Sequence, residues 1–192
     1  WIMFILFFSG IYISGAVVSV IKPYQKNRIR TFIDPYSDIR GSCWNVIQSK
    51  ISIGSGGFSG KGLTKGTQNR LNFLPERHTD FIFSLISEEW GFRGSFFVLL
   101  LQGIILFFIS ITALRATDVY GFYLSLSIFL VLLFHAFMNV GMNMGILPVT
   151  GIPLPFVSYG GSFFISGCIL IGINLNIHSQ GATIKSVGAY WK

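Results

Sequence analysis

The chain has 192 residues, of which 52% are hydrophobic and 11% are charged, and its mean hydropathy is +0.64. In an ordinary soluble domain about a quarter of the residues are charged. The composition therefore excludes such a protein and indicates an integral membrane protein. The formal charge is +7, and eleven of the fourteen Lys and Arg residues lie between residues 22 and 95. Such a basic loop favours membrane lipid head groups or a phosphate-bearing substrate. Nucleic acid is a poor alternative, because the loop lies between apolar runs.

Four apolar runs predict an all-α membrane protein with four spanning helices and a long loop outside the cytoplasm. The predicted spans are residues 1–21, 96–114, 122–138 and 163–177. Segments 22–95 and 139–162 then share one side of the membrane. The 139–162 loop has no Lys or Arg, whereas the opposite side carries Arg115, Lys185 and Lys192. The positive-inside rule therefore places the C-terminus in the cytoplasm and the two segments outside.

Residues 68–94 concentrate charged side chains between apolar runs, and charges in that position usually line a site. The spacing predicts an amphipathic helix from Asp80 to Trp90, with Thr79 as N-cap and with Gly91 and Gly94 ending it. One face is expected to lie on the bilayer, through Phe81, Ile82, Leu85 and Ile86. On the other face, Asp80 heads a stripe of small polar residues, Ser84 and Ser87. A solvated surface loop is the alternative.

Residues 53–62, IGSGGFSGKG, are rich in glycine but lack the spacing of a nucleotide phosphate loop. Successive backbone N–H groups can still approach an anion, and Lys50, Lys61 and Lys65 make a pyrophosphate contact the favoured interpretation. A flexible linker is the alternative. No metal-ligand spacing is present, and Cys43 and Cys168 are expected at different depths without a disulfide.

The uncharged segment 139–162 contains three prolines, which exclude a regular helix. We predict a re-entrant segment at the outer mouth of a cavity, because irregular backbone at membrane depth needs cover from protein or water. An ordinary loop with packing glycines is the alternative. Asn139, Asn143 and Asn174 are interpreted as helix–helix hydrogen-bonding residues. His135 is interpreted as a satisfied interior histidine, with a proton relay as the alternative.

Two long motifs make a family resemblance specific: GTQNRLNFLPERHTDFIFSLISEEWGFRG at 66–94 and NMGILPVTGIPLPFVSYGGSFF at 143–164. They closely resemble the SEDS family (shape, elongation, division and sporulation), and the resemblance covers essentially the whole chain. It implies the C-terminal half of a roughly ten-helix protein of the bacterial inner (plasma) membrane. Family members polymerise peptidoglycan glycan strands from lipid II, alongside a class B penicillin-binding protein that makes the crosslinks.

The resemblance maps the essential aspartate of the family onto Asp80, within the HTDFIF motif. A sugar hydroxyl attacks an anomeric carbon that carries undecaprenyl pyrophosphate, and Asp80 is expected to be the general base, with Glu76 as the fallback. Fixed cations would stabilise the leaving pyrophosphate, and a divalent metal ion such as Mg²⁺ is a candidate to share this task. The expected substrate-binding residues are Glu76, Arg77, His78, Lys50, Lys61, Lys65 and Gln68. A single displacement predicts inversion at the anomeric carbon.

Two other classes of function stay open at this point. A lipid flippase needs polar groups through the bilayer, whereas the charge here concentrates at one surface. A non-catalytic scaffold of the cell-wall elongation complex would tolerate the loss of Asp80, which an enzyme would not. This half alone is expected to lack part of the cavity.

Overall fold

The structure, a computed structural model, describes residues 44–66 and 79–180, the backbone of 181–189, and the isolated residues 28 and 32. The predicted span 1–21 lies outside the described residues, as do Gln68, Glu76, Arg77 and His78. The chain divides into two compact units, residues 1–44 and 45–192, and the fold below is that of the second unit.

The described residues form four helices: α1 (Trp44–Gly56), α2 (Ile82–Arg115), α3 (Val119–Asn143) and α4 (Gly161–Ala189). In this part of the chain, α2, α3 and the first twenty residues of α4 are long and apolar enough to cross a membrane. The all-α membrane architecture predicted from composition is therefore confirmed for the described residues.

The three long helices pack around a small apolar core near their middle. Ile109 of α2 and Ile128 and Leu132 of α3 are buried there, and Leu170 of α4 packs against them. Ile128 and Leu132 are one helical turn apart, so α3 presents both to the same neighbour. The outward faces remain apolar, as at Phe108 of α2, which is 64% exposed. Such apolar outward faces suit either lipid or further membrane helices, so a bundle of this kind needs few fully buried side chains.

Helix α2 is broken at Gly91, whose φ of 66° and ψ of −158° are not helical. At 1.5 Å per residue, its 34 residues would make a straight rod of about 51 Å, well beyond a hydrocarbon layer of about 30 Å. Residues 92–115 alone measure about 36 Å, which is enough to span. Of the two glycines predicted to end the helix, Gly91 interrupts it and Gly94 is helical.

The start of α2 differs from the prediction. The residue before its first turn is Phe81, which makes no side-chain cap, and residues 79–81 form a turn. The carbonyl of Thr79 accepts a hydrogen bond from Ser158 Oγ at 2.7 Å, and the carbonyl of Asp80 accepts from two asparagines. The helix begins at Ile82, so Thr79 and Asp80 both lie before its first turn. Thr79 as N-cap and Asp80 in the first helical turn were therefore wrong.

Residues 82–90 bury the serine side of the helix in addition to part of the predicted apolar face. Ser84, Ser87 and Glu88 are buried. The residues expected on the bilayer differ in burial: Phe81 is buried, whereas Ile82, Leu85 and Ile86 are half-buried. The backbone of α1 approaches so closely that a Cβ on Gly56 would strike the Ser87 carbonyl. At Ser87 the stripe therefore packs against the end of α1, because small residues permit this close approach.

The segment between α3 and α4, residues 144–160, is irregular and packs deeply. Gly145 and Gly151 have φ of 69° and 73°, which glycine adopts readily. Gln102 of α2 donates a hydrogen bond to the carbonyl of Pro155. Gln102 lies about 16 Å along the helix from Gly91, so Pro155 reaches the apolar part of α2. The ring of Phe156 packs against the apolar core, which covers this irregular backbone with protein.

Candidate active site around Asp80

The main chain of Asp80 is held by two buried asparagines of α3. The Nδ2 groups of Asn139 and Asn143 donate to the Asp80 carbonyl oxygen at 3.0 and 2.9 Å. Both asparagines have no exposed surface. The preceding carbonyl, that of Thr79, is fixed by Ser158 of the irregular segment. Consecutive peptide groups at Asp80 are thus anchored to two different elements.

The carboxylate of Asp80 lies against the irregular segment. A Cβ built on Gly151 would stand 3.2 Å from Asp80 Oδ2, so the glycine leaves room for the carboxylate. Asp80 itself is half-buried. This geometry unites the two longest motifs in the sequence, residues 66–94 and 143–164, at one carboxylate.

An open cavity of about 640 Å³ adjoins this place. It is lined by residues from the start of α2, the end of the irregular segment and the start of α4: Ile82, Val157, Ser158, Tyr159, Gly160, Gly161 and Phe164. Ile82 is two residues from Asp80, and Ser158 holds the Thr79 carbonyl. The lining is mainly apolar, so the cavity suits an apolar group next to a carboxylate.

Lys50 lies near the same end of α3. Its neighbour Ser49 is buried and donates to the backbone carbonyl of Asn143 at 2.8 Å. The Lys50 side chain passes so close to Gly145 that a Cβ there would strike its Cε atom. Lys50 is exposed. It is linked to Asp80 indirectly, because its neighbour Ser49 contacts Asn143 and Asn143 contacts the Asp80 carbonyl.

The glycine-rich segment completes the broken helix. Lys61 N–H donates to the Glu88 carbonyl at 3.0 Å, and Gly62 N–H donates to the Glu89 carbonyl at 3.0 Å. In return, the N–H groups of residues 92 and 93 donate to the carbonyls of residues 57 and 58. In an unbroken helix these four groups would bond to one another, residue 92 to 88 and residue 93 to 89.

This arrangement corrects the interpretation of the segment as an anion cradle. The N–H of Gly60 donates to the Gly56 carbonyl, so residues 60–62 all use their N–H groups within the protein. A Cβ on Gly60 would strike the Glu89 carbonyl, which explains the glycine there by close approach. The backbone N–H groups of residues 60–62 therefore bind carbonyls and do not form an anion site.

The lysines of this region have different surroundings. Lys61 Nζ is 2.9 Å from Glu88 Oε1, and the Glu88 side chain is only 1% exposed. Lys65 is exposed. The ammonium of Lys61 therefore faces a buried carboxylate, a group that is costly to bury without a charged partner.

The other polar residues predicted in the spans have separate outcomes. Asn139 and Asn143 do bond between elements, but they contact the Asp80 backbone, a role that sequence reasoning missed. Among the described residues, Asn174 Nδ2 and His135 Nδ1 are buried without a hydrogen-bond partner. The prediction of a satisfied histidine is therefore not met at Nδ1 in this part of the chain. The His135 ring stacks on Phe163, with centroids 5.2 Å apart.

Comparison with known proteins gives a consistent assignment. The family model for the FtsW, RodA and SpoVE proteins, described as "Cell cycle protein", matches residues 1–183. The peptidoglycan glycosyltransferase MrdB of Escherichia coli K12 is 43% identical over 192 residues, covering 93% of this chain and 52% of its own length. The peptidoglycan glycosyltransferase RodA of Treponema pallidum is 44% identical over 165 residues, covering 85% of this chain and 38% of its own length.

A solved structure agrees with these relatives. It is a chain from a peptidoglycan synthase complex, in a study of how polymerization and crosslinking are coordinated. The TM-score is 0.71 at 32% identity, and the match covers 93% of this chain and 48% of the other. This chain spans about half the length of the curated relatives that it matches. With a family match over residues 1–183, the chain belongs to the FtsW/RodA/SpoVE family, the SEDS proteins, and is a multi-pass membrane protein.

Proposed function

We propose that this chain carries the catalytic carboxylate of a peptidoglycan glycosyltransferase that polymerises glycan strands from lipid II during cell elongation and cell-shape maintenance. Family membership and the names of the relatives support this proposal. The observation that carries it is the position of Asp80, which is held by two elements beside an open apolar cavity.

In the proposed reaction, Asp80 is the general base. The acceptor sugar hydroxyl loses its proton to the carboxylate as its oxygen forms a bond to the anomeric carbon of the donor. The bond from that carbon to the undecaprenyl pyrophosphate breaks at the same time. One displacement inverts the anomeric centre, which turns an α-linked donor into a β-linked strand. Glu76 is the fallback base.

The proposed binding of lipid II has an apolar and an anionic part. The cavity beside Ile82 suits the start of the isoprenoid chain, because its lining is mainly apolar. For the pyrophosphate we propose Lys50 and Arg77, with Gln68 and His78 as further polar contacts. Lys65, which is exposed, is proposed as an outer contact, whereas the pairing of Lys61 with Glu88 favours a structural role for Lys61.

Among the described residues of the proposed site, Asp80 is the carboxylate available to a divalent metal ion. Mg²⁺ in phosphoryl sites is usually bound by one or two carboxylates together with substrate phosphates. Within the described ranges, no three His, Cys, Asp or Glu side chains come together. A Mg²⁺ ion at this place would therefore need the substrate pyrophosphate for its further ligands.

The remaining features of the proposal concern the assembly. We propose four spans, including residues 1–21, with segments 22–95 and 139–162 outside the cytoplasm and the C-terminus inside. Segment 139–162 would be the re-entrant part of that outer face, as its contact with Gln102 supports. A class B penicillin-binding protein is the proposed partner, and activity is proposed to require the helices that complete the cavity.

The test replaces Asp80 with Asn in the native protein, purified with its penicillin-binding partner. The change keeps the size and removes the basic oxygen, so lipid II turnover should fall by about 10²- to 10⁴-fold while partner binding stays normal. Asp118→Asn is the matched control, because Asp118 is exposed in the turn between α2 and α3, and it should keep the normal rate. Near-normal turnover by Asp80→Asn would refute the catalytic role and favour a scaffold.

A further inference from the structure

The carbonyl of Asp80 is an unusual acceptor, since it receives two side-chain amide donors from one helix. Asn139 and Asn143 are four residues apart, so both point from the same face of α3. Their Nδ2 atoms lie 3.0 and 2.9 Å from the Asp80 oxygen. A carbonyl oxygen has two lone pairs, so the two amides together use its full accepting capacity.

The remaining donors of the two carboxamides are also engaged. Asn139 Nδ2 donates to the Ile152 carbonyl at 2.8 Å, within the irregular segment beside Gly151. Asn143 Nδ2 donates to the Asn139 carbonyl at 2.8 Å. Each amide therefore directs one bond to Asp80 and the other to a second fixed carbonyl, which sets the orientation of both side chains.

A third element orients the second asparagine. Ser49 Oγ of α1 lies 2.8 Å from the Asn143 carbonyl and 3.3 Å from its Oδ1 atom. Ser49, Asn139 and Asn143 are all fully buried. Because buried polar groups are costly unless bonded, a completely bonded set of this kind holds a single geometry.

We propose that Asn139 and Asn143 are positioning residues that fix Asp80 at the reacting centre. The inference rests on the proposed function of Asp80 as general base. Both bonds go to the main chain of Asp80, so they place its carboxylate without using the carboxylate oxygens. The Asn139 amide also donates to the Ile152 carbonyl, so one side chain holds both the proposed base and the segment that faces it.

The test uses Asn139→Leu and Asn143→Leu in the native protein with its partner, since leucine has a similar volume and cannot donate. A displaced base should lower kcat by about 10- to 100-fold and leave KM for lipid II near normal. Asn174→Leu is the matched control, because Asn174 is also a buried helical asparagine, and its Nδ2 donates to no group in the described residues. It should keep kcat.

Hydrogen exchange of residues 79–85 supplies a readout that does not need activity. Both leucine variants should exchange faster there than the native protein, while residues 95–115 stay protected. Ser49→Ala guards against a leucine variant that does not fold, since it removes only the bond to Asn143 and should produce the same changes in milder form. Unchanged exchange at 79–85, or a loss of kcat equal to that of Asn174→Leu, would overturn the positioning role.

The two proposals fail separately. An active Asp80→Asn protein would overturn the general-base role, and the exchange experiment would still decide whether the asparagines hold the segment. Conversely, an inactive Asp80→Asn protein together with fully active Asn139→Leu and Asn143→Leu proteins would keep the base and overturn the positioning role.

Discussion

Replacing Gly91 with Ala should destabilise the protein, although alanine is the better helix former. The φ of 66° and ψ of −158° at Gly91 belong to a region that is essentially restricted to glycine. A Cβ there would also strike the backbone N–H of Gly60 and come within 2.9 Å of the Phe58 carbonyl. Keeping the break would thus cost about 1–3 kcal/mol of backbone strain before the steric clash is counted.

Straightening the helix offers no escape from this cost. A regular helix would restore bonds across residue 91 but would break the four bonds to the glycine-rich segment. The carbonyls of residues 57 and 58 and the N–H groups of residues 61 and 62 would then lose these partners, and a lost hydrogen bond typically costs about 0.5–1.5 kcal/mol. Straightening the helix therefore also carries a destabilising cost.

The assay is thermal unfolding of the native protein in detergent, with Gly103→Ala as the matched control. Gly103 lies in the same helix, and a Cβ there meets nothing within 4 Å. Gly91→Ala should lower Tm by about 3–9 °C, whereas Gly103→Ala should leave Tm unchanged or raise it slightly. Equal Tm values for the two variants would refute the argument that the break is a required conformation.

Two further predictions concern charge and topology. Lys61→Met should lower the free energy of unfolding by about 1–3 kcal/mol, because Glu88 loses its ammonium partner. The double variant Lys61→Met/Glu88→Gln should recover part of that loss. A double variant that is less stable than Lys61→Met alone would contradict this prediction. Cysteines introduced at Ser55 and Ser186 of an otherwise cysteine-free protein should differ in intact cells, with only Ser55 labelled by an impermeant reagent. The reverse pattern would invert the proposed orientation.

Composition and periodicity were sufficient to predict an all-α membrane architecture for the described residues, because a long apolar segment can cross a bilayer in very few backbone conformations. They were insufficient at the start of α2. Thr79 has the chemistry of an N-cap, but Ser158, 79 residues away in sequence, takes its carbonyl. Local propensity contains no information about so distant a partner.

The serine stripe and the glycine-rich segment failed for a related reason. Small residues at helical spacing are compatible with a polar face over a cavity and with close helix packing, and only the position of α1 decides between them. Likewise, glycine N–H groups suit an anion and a carbonyl equally well. The break at Gly91 decides the matter, since it leaves four backbone groups to be satisfied nearby.

Asp80 was identified through its motif, whereas its supports were not. Asn139 and Asn143 stand four residues apart near the end of an apolar run, which was correctly interpreted as hydrogen bonding between elements. Their acceptor was beyond the sequence, because it is a main-chain carbonyl and carries no residue-specific signature. The available signal was the spacing of the two asparagines. They lie on one face of the helix, at its end next to the proline-rich segment.

The bonding at the break fixes the length of the segment that serves it. Gly57 and Phe58 accept from one side of the break, and Lys61 and Gly62 donate to the other, with only two residues between the pairs. Surface loops usually tolerate insertions, because lengthening them costs little entropy. Here one added or deleted residue between Phe58 and Lys61 would pull one pair out of register. We therefore expect this stretch to tolerate changes of side chain at its exposed positions but no change in the number of its residues.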